Sequence, residues 1–247
     1  MTENPSSHGE NQLLHHLDGD VMDRLQSKLT KVVLEPQQVL YHPEQPISEI
    51  YFPDTAVLCM LTIMRDGRSI ESATVGNEGA SWVSASLGAP TMPCQTMVAV
   101  GGMARRLHAK DVETEIRRNG LFHDLVSEYS HALLITSLRT GACNAIHSLP
   151  QRCARWMLVA LDRSSSKQLV ITHEFLSALL GCSRSVITGI LGELEERGGI
   201  RTARGRIEIV DRHLLRDDAC ECYSMIRDNF ESLRERAGQL RSRAESR

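Results

Sequence analysis

Residues 178–200 read ALLGCSRSVITGILGELEERGGI. Apolar positions recur at helical spacing, yet Gly181-Cys182-Ser183 interrupt the run and Gly198-Gly199 close it. Glycine costs roughly 1 kcal/mol against alanine inside a helix, so the stretch reads as two helices with a turn at Gly181 rather than one rod. Upstream, Thr172 stands before HEFLSALL as the N-cap of the first helix, its hydroxyl placed to take an early backbone N–H. Ser183 caps the second, which runs to about Arg197 and buries Ile187, Ile190, Leu191 and Leu194. Small Ser177 lets the two helices cross closely. This is the spacing of a helix-turn-helix.

The closing glycines give the next element. Gly198-Gly199 stop the helix, Ile200-Arg201-Thr202 turns through Ala203-Arg204-Gly205, and Arg206–Val210 returns as a second strand. The result is a two-stranded wing carrying Arg201, Arg204 and Arg206. Basic wing residues can hold phosphates while the helix that begins Ser183-Arg184-Ser185 enters a major groove.

Charge is distributed accordingly. The chain of 247 residues has a net charge of −3, which by itself argues against a polyanion partner. Residues 1–147 hold 11 Lys/Arg against 17 Asp/Glu, net −6, whereas residues 148–247 hold 17 against 14, net +3. The basic excess surrounds the quoted stretch, where a nucleic acid would dock. The seven cysteines, at 59, 94, 143, 153, 182, 220 and 222, are odd in number and scattered. They read as reduced thiols rather than a disulfide framework. The start, MTENPSSHGENQLLHHLDGD, has neither a basic nor an apolar leader region, and no window reaches the ~18 apolar residues of a membrane helix. The expected location is cytoplasmic, with no membrane partner.

Between about 31 and 107 the texture is β: Gln38–Tyr41, Glu49–Phe52, Ala56–Met64, Ser69–Val75 and Thr96–Val100 alternate with turn signals, Asp66-Gly67 marking a hairpin. From about Lys110 the period becomes helical, with a long helix from Gly120 to about His147. One stripe on it follows Leu121, Leu125, Ala132, Ile135, Ala142 and Ile146, and a neighbouring one Phe122, Val126, Tyr129 and Leu133. Two apolar faces need two partners. The β-domain supplies one, and the simplest second is the same helix of another subunit, making Leu121, Leu125, Ala132, Ile135 and Ala142 the expected dimer seam. The N-terminal segment and the Arg-rich C-terminal one read as fraying tails.

The β-domain with Leu40-Tyr41, Tyr51-Phe52 and Asp66-Gly67, the long helix, GCSRSVITGILGELEERGGI and RGRIEIVD together resemble the Crp/Fnr superfamily of bacterial transcription regulators over about residues 30–212. The resemblance implies an α+β chain: an antiparallel β-roll effector-like domain (1–110), a central dimerisation helix (111–147), and a winged helix-turn-helix domain (148–247). Residues from Asp211, with ACECYSMIRDNF, resemble an extra C-terminal helix of one branch. It also implies a homodimer on a palindromic double-stranded DNA operator, RNA polymerase as a further partner, and no catalysis. The DNA-contacting set on this reading is Thr172, Ser183, Arg184, Ser185, Thr188, Arg201, Arg204 and Arg206. Arg184 matches a base-contacting Arg of the cyclic-AMP-responsive branch, but Ser185 and Gly189 replace its Glu and second Arg, so the operator should differ.

Two further departures concern the effector. Cyclic-nucleotide-binding members hold the ribose with a Gly-Glu pair and the phosphate with an Arg. Here Ala80-Ser81 or Trp82-Val83, and Cys94-Gln95, stand near those positions, and no Lys or Arg occurs from 69 to 104. A buried phosphate would lack its charged partner, so the effector is expected not to be a cyclic nucleotide. The N-terminal Fe–S cysteines of oxygen-sensing members are missing, since no Cys precedes Cys59. His173-Glu174 lacks the second His of a zinc-protease helix, with Ser177 in its place. His15-His16 reads as solvated tail, and Cys220 and Cys222 as structural thiols, so no cofactor or metal is expected. The rival reading is a ligand-binding or protein-interaction module whose helix-turn-helix serves only as packing.

Overall fold

The computed structural model describes residues 10–81, 89, 91–164, 166 and 168–246. The N-terminal segment is not a frayed tail from residue 10 onward. It forms α1 (Gln12–His15) and α2 (Gly19–Gln26), and Leu13 and Leu14 of the first, Leu17 between them, and Val21 and Leu25 of the second are buried. Buried Asn11 locks the segment down, its amide donating to Pro53 O at 3.0 Å and Gly79 O at 2.7 Å. His16 is correspondingly half-buried, its Nδ1 2.7 Å from Gln12 O.

Among the described residues the strands that follow are β1 (Thr30–Leu34), β2 (Val39–Tyr41), β3 (Glu49–Pro53), β4 (Val57–Ile63), β5 (Ser69–Val75), β6 (Gln95–Val100) and β7 (Gly102–His108). They pair antiparallel in two sheets, β1-β7-β3 and β2-β6-β4-β5. The Asp66-Gly67 hairpin joins β4 to β5, with Gly67 at φ +85°. Strand β4 has water on neither face along Val57–Leu61. Leu58 and Met60 point into the core between the sheets, while Val57, Cys59 and Leu61 join a second core under the C-terminal helices. Its continuous apolar run is what a strand buried on both faces requires.

Helix α3 (Ala109–Ile116) leads to α4 (Leu121–Ile146), α5 (Leu149–Arg163) and a short strand β8 (Gln168–Leu169). That strand begins one residue earlier than Leu169-Val170-Ile171 suggests, and Val170 is exposed. There follow α6 (His173–Leu180), α7 (Arg184–Glu196), β9 (Ile200–Ala203), β10 (Arg206–Ile209), α8 (Arg212–Asp218) and α9 (Cys222–Glu245). The Arg-rich end is thus the long helix α9 rather than a frayed tail, in line with the extra C-terminal helix.

Helix α9 changes the reading of α4. Leu233 and Ala237 enter the same core as Leu121, Leu125 and Ala132, Asn229 Nδ2 donates to Ala132 O at 2.8 Å, and Arg236 pairs with Glu128 at 2.6 Å. The second apolar face of α4 is therefore covered by its own chain over its first half. Leu121, Leu125 and Ala132 are buried within the chain itself, Leu125 being 1% exposed, rather than open as the expected seam requires. Ile135 is half-buried and Ala142 exposed. The apolar surface left open is farther along: Leu134 is 58% exposed, Leu138 67% and Ile146 76%.

Candidate nucleic-acid interface

The helix-turn-helix is built as its sequence dictates. Thr172 Oγ1 accepts from Phe175 N at 3.1 Å, closing one orphan donor at the start of α6. Gly181 ends that helix at φ +69°, ψ 39°, a left-handed conformation in which a side chain would be strained. The chain turns through 104° before α7. On α7, Ile187, Ile190, Leu191 and Leu194 are buried as the spacing requires. Ser183 occupies the N-cap position but makes no capping bond; its hydroxyl lies 3.0 Å from Ser185 Oγ. The first N–H groups of α7 thus have no side-chain cap, which leaves them available to an anion.

Arg184, Ser185 and Thr188 are all exposed on α7. Thr188 is already engaged, donating to Arg184 O at 3.0 Å with His173 Nδ1 also 3.0 Å away, so His173 positions it from the first helix. Gly189 and Gly192 share the helix with them, and a Cβ at either would meet nothing within 4 Å. Packing within the chain does not demand glycine there.

Strands β9 and β10 pair antiparallel, with β8 on the far side of β10. Their turn is Arg204-Gly205, Gly205 lying at φ +71°. Arg204 and Arg206 are exposed and have no ion-pair partner among the described residues, whereas Arg201 faces Glu208 across the strands at 3.3 Å. The structure thus separates two free wing arginines from one already half-neutralised. Sequence reasoning missed the link that carries the wing: Glu195 accepts from Thr202 N at 2.8 Å and Thr202 Oγ1 at 2.6 Å. Those bonds, the hydroxyl's first, hold its carboxyl below the usual range. The i to i+7 spacing of Glu195 and Thr202 was the available signal, legible only once the hairpin is folded.

The back of the module rests on the β-roll. Ser69 Oγ of β5 donates to Ala178 O at 3.2 Å, and a Cβ on Gly181 would lie 3.2 Å from Ile70 Cδ1. At the other end of β5, Arg163 of α5 pairs with Glu78 at 3.0 Å and donates to Thr74 O at 2.8 Å, its guanidinium 4.7 Å from the Phe230 ring centroid. This cation is thus paired with a carboxylate that also accepts from Gly76 N at 3.0 Å. Ser81 is buried, its Oγ 2.5 Å from Tyr41 OH and accepting from Tyr51 N at 2.9 Å. Ala80 O accepts from Tyr129 OH at 3.1 Å. Trp82 and Val83 lie outside the described residues. Arg105 and Arg106, just past the cation-free stretch, face Asp54 at 3.4 Å and Glu49 at 3.6 Å.

Residues 151–218 match the Crp-like helix-turn-helix domain family. The fold of the larger part of the chain recurs in solved structures. A protein described as a transcriptional regulator of the Crp/Fnr family from Eubacterium rectale has a TM-score of 0.60 at 19% identity, over 84% of this chain and 98% of that one. A Crp-family transcriptional regulator from Thermus thermophilus gives 0.61 at 16%, over 77% and 96%. FixK2 from Bradyrhizobium japonicum gives 0.56 at 14%, over 78% and 98%. The architecture is therefore that of Crp/Fnr-type transcription regulators, with a Crp-like helix-turn-helix. No curated protein matches the chain in sequence. Among the described residues, no single helix is long and apolar enough to cross a membrane.

Proposed function

We propose that the chain is a sequence-specific DNA-binding transcription regulator of the Crp/Fnr type, acting as a homodimer on an inverted repeat and answering to an effector other than a cyclic nucleotide. The observation that carries this reading is the Crp-like module itself, with uncapped α7 exposing Arg184 and Ser185 and the wing tip exposing unpaired Arg204 and Arg206. Arg184 is the base reader, bidentate to a guanine; Ser185 and Thr188 add less strict contacts; Ser183 and the wing arginines hold phosphates. Thr172 acts chiefly as the cap that fixes α6.

The dimer contact consistent with burial is the open stripe Leu134, Leu138, Ala142 and Ile146, together with the edge residue Ile135. Two-fold pairing there would set the α7 helices against successive major grooves, about 34–36 Å apart. The effector reading rests on the loop near Ala80-Ser81, where the neighbouring cations Arg163, Arg105 and Arg106 are each matched by a carboxylate. A cytoplasmic location, RNA polymerase as a further partner and the absence of catalysis go with this function.

The test is selection of bound duplexes by the wild type and by Arg184→Ala. An inverted repeat with half-sites one helical turn apart should emerge, and the variant should lose about 1–3 kcal/mol of preference at one guanine per half-site. A single asymmetric site, or identical profiles for both proteins, would refute the reading in favour of a module that uses its helix-turn-helix only for packing.

A further inference from the structure

Cys220 and Cys222 read from sequence as unrelated structural thiols, because two residues two apart on a helix diverge by about 200°. The fold removes that objection. Cys220 lies in the turn after α8, Cys222 is the first residue of α9, and both face the last turn of α4, where Cys143 and His147 stand four apart. Cys143 Sγ is 3.6 Å from Cys220 Sγ, and Cys222 Sγ is 3.7 Å from His147 Nδ1. All four ligand atoms fall within 4.8 Å of one another. The three cysteines form a buried cluster separate from both main cores, closed on one side by His147.

Two of these lengths fit a tetrahedral divalent cation. A tetrahedral cation with metal–sulfur bonds of about 2.3 Å and a metal–nitrogen bond of about 2.0–2.1 Å sets two sulfurs about 3.8 Å apart and sulfur and nitrogen about 3.6 Å apart. The two edges given above agree with these within about 0.2 Å, and the remaining ones lie within 4.8 Å. A multi-iron cluster would need its ligands spread around more than one metal. The outer contacts fit as well. Glu221 Oε2 lies 3.0 Å from His147 Nε2, which puts the imidazole proton on Nε2 and leaves the Nδ1 lone pair for the metal. Three thiolates and a neutral imidazole around a dication leave one negative charge. Buried Arg155, whose Nε has no hydrogen-bond partner among the described residues, and buried Arg152 both act electrostatically on this cluster.

We propose that Cys143, His147, Cys220 and Cys222 form a closed Cys3His site for a zinc-class divalent cation, pinning the end of α4 to the start of α9. With four protein ligands it has no open position and is structural. Its place is the junction from which α5 leads into the helix-turn-helix, and Arg152 beside it donates to Leu180 O at 2.8 Å, at the end of α6. The cation therefore fixes the joint between the long helix and the recognition module, whatever that module binds.

The full-length protein, purified under reducing conditions, stripped with a chelator and titrated with Co2+ without oxygen, provides the test. One equivalent per chain should bind, with thiolate-to-cobalt charge-transfer absorption and the strong visible bands of tetrahedral cobalt, and Zn2+ should displace it. Cys143→Ser and Cys222→Ser should lose the signal. Cys94→Ser, in the β-roll, should keep it, and Glu221→Gln should keep the spectrum with affinity weakened about 10–100-fold. Ligand variants can fail to fold, so the wild-type titration decides by itself. Cobalt bound without charge-transfer bands, no stoichiometric binding, or a Cys143–Cys220 disulfide in the freshly purified reduced protein would overturn the site, as would an unchanged spectrum in Cys143→Ser/Cys222→Ser.

Discussion

Replacing Arg163 with Met tests how the recognition module is fastened to the β-roll. The Arg163 and Glu78 side chains are 5% and 6% exposed, and their 3.0 Å contact is the charge pair at this seam. Arg163 Nη2 and Glu78 Oε2 find no partner among the described residues, so the pair is incompletely satisfied. Removing only the cation leaves a buried carboxylate without compensation, which costs about 3–5 kcal/mol, whereas replacing both charges by well-packed neutral groups is often neutral or better. For 247 residues, an unfolding entropy of roughly 2 cal/mol/K per residue makes 1 kcal/mol worth about 2 °C in Tm. Arg163→Met should therefore lower Tm by about 6–10 °C. Glu78→Gln should lower it less, because the amide oxygen still accepts from Arg163 Nε. The double variant should recover most of the loss, giving a coupling energy of about 3 kcal/mol or more. Calorimetry of the four proteins measures the cycle. Additive losses would show that the two side chains act independently and would refute the seam as an ion-pair latch.

Three more outcomes are expected. Arg204→Ala/Arg206→Ala should weaken binding equally on all DNA sequences and flatten the log–log salt dependence by about 0.9 per lost contact, with a smaller change for Arg201→Ala because Glu208 already holds that side chain; binding isotherms at several salt concentrations measure it. Leu134→Glu/Leu138→Glu should yield a monomer in analytical ultracentrifugation with an unchanged circular dichroism spectrum, whereas Leu125→Ala should cost about 2–5 kcal/mol in denaturant titration, since Leu125 is core. Gly189→Ala should raise stability by about 0.4–1 kcal/mol, as its Cβ meets open space. If the glycine serves close approach to DNA, the same variant should bind operator less well in a fluorescence titration.

The recognition module was legible because its information is local. Gly181, the α7 period and the Gly198-Gly199 stop all lie within about one turn of the contacts they determine. Strand β7 was harder to see because GMARRLH lacks alternation. Its arginines are tolerated in a strand paired on both sides because Asp54 and Glu49 answer them. The α1 and α2 leucines carried a helical spacing obscured by neighbouring His, Asp and Gly residues. The cover of residues 121–132 was not legible for a non-local reason: two apolar stripes on α4 announce two partners, but nothing near those residues states that one of them is α9. The Cys3His cluster was hidden in the same way, its C-x3-H and C-x-C halves being separated by most of the C-terminal domain.

The packing of α9 on α4 imposes an order of assembly during synthesis. Leu125 leaves the ribosome long before Leu233, which shares its core. At about 5–20 residues per second, the apolar flank of α4 waits roughly 5–20 s for its cover. Through that interval the β-roll and the recognition module can both be complete while a greasy strip lies open between them. A nascent chain of this protein is most vulnerable to wrong partners until α9 has emerged, and a stop codon ahead of α9 would make that vulnerable intermediate permanent.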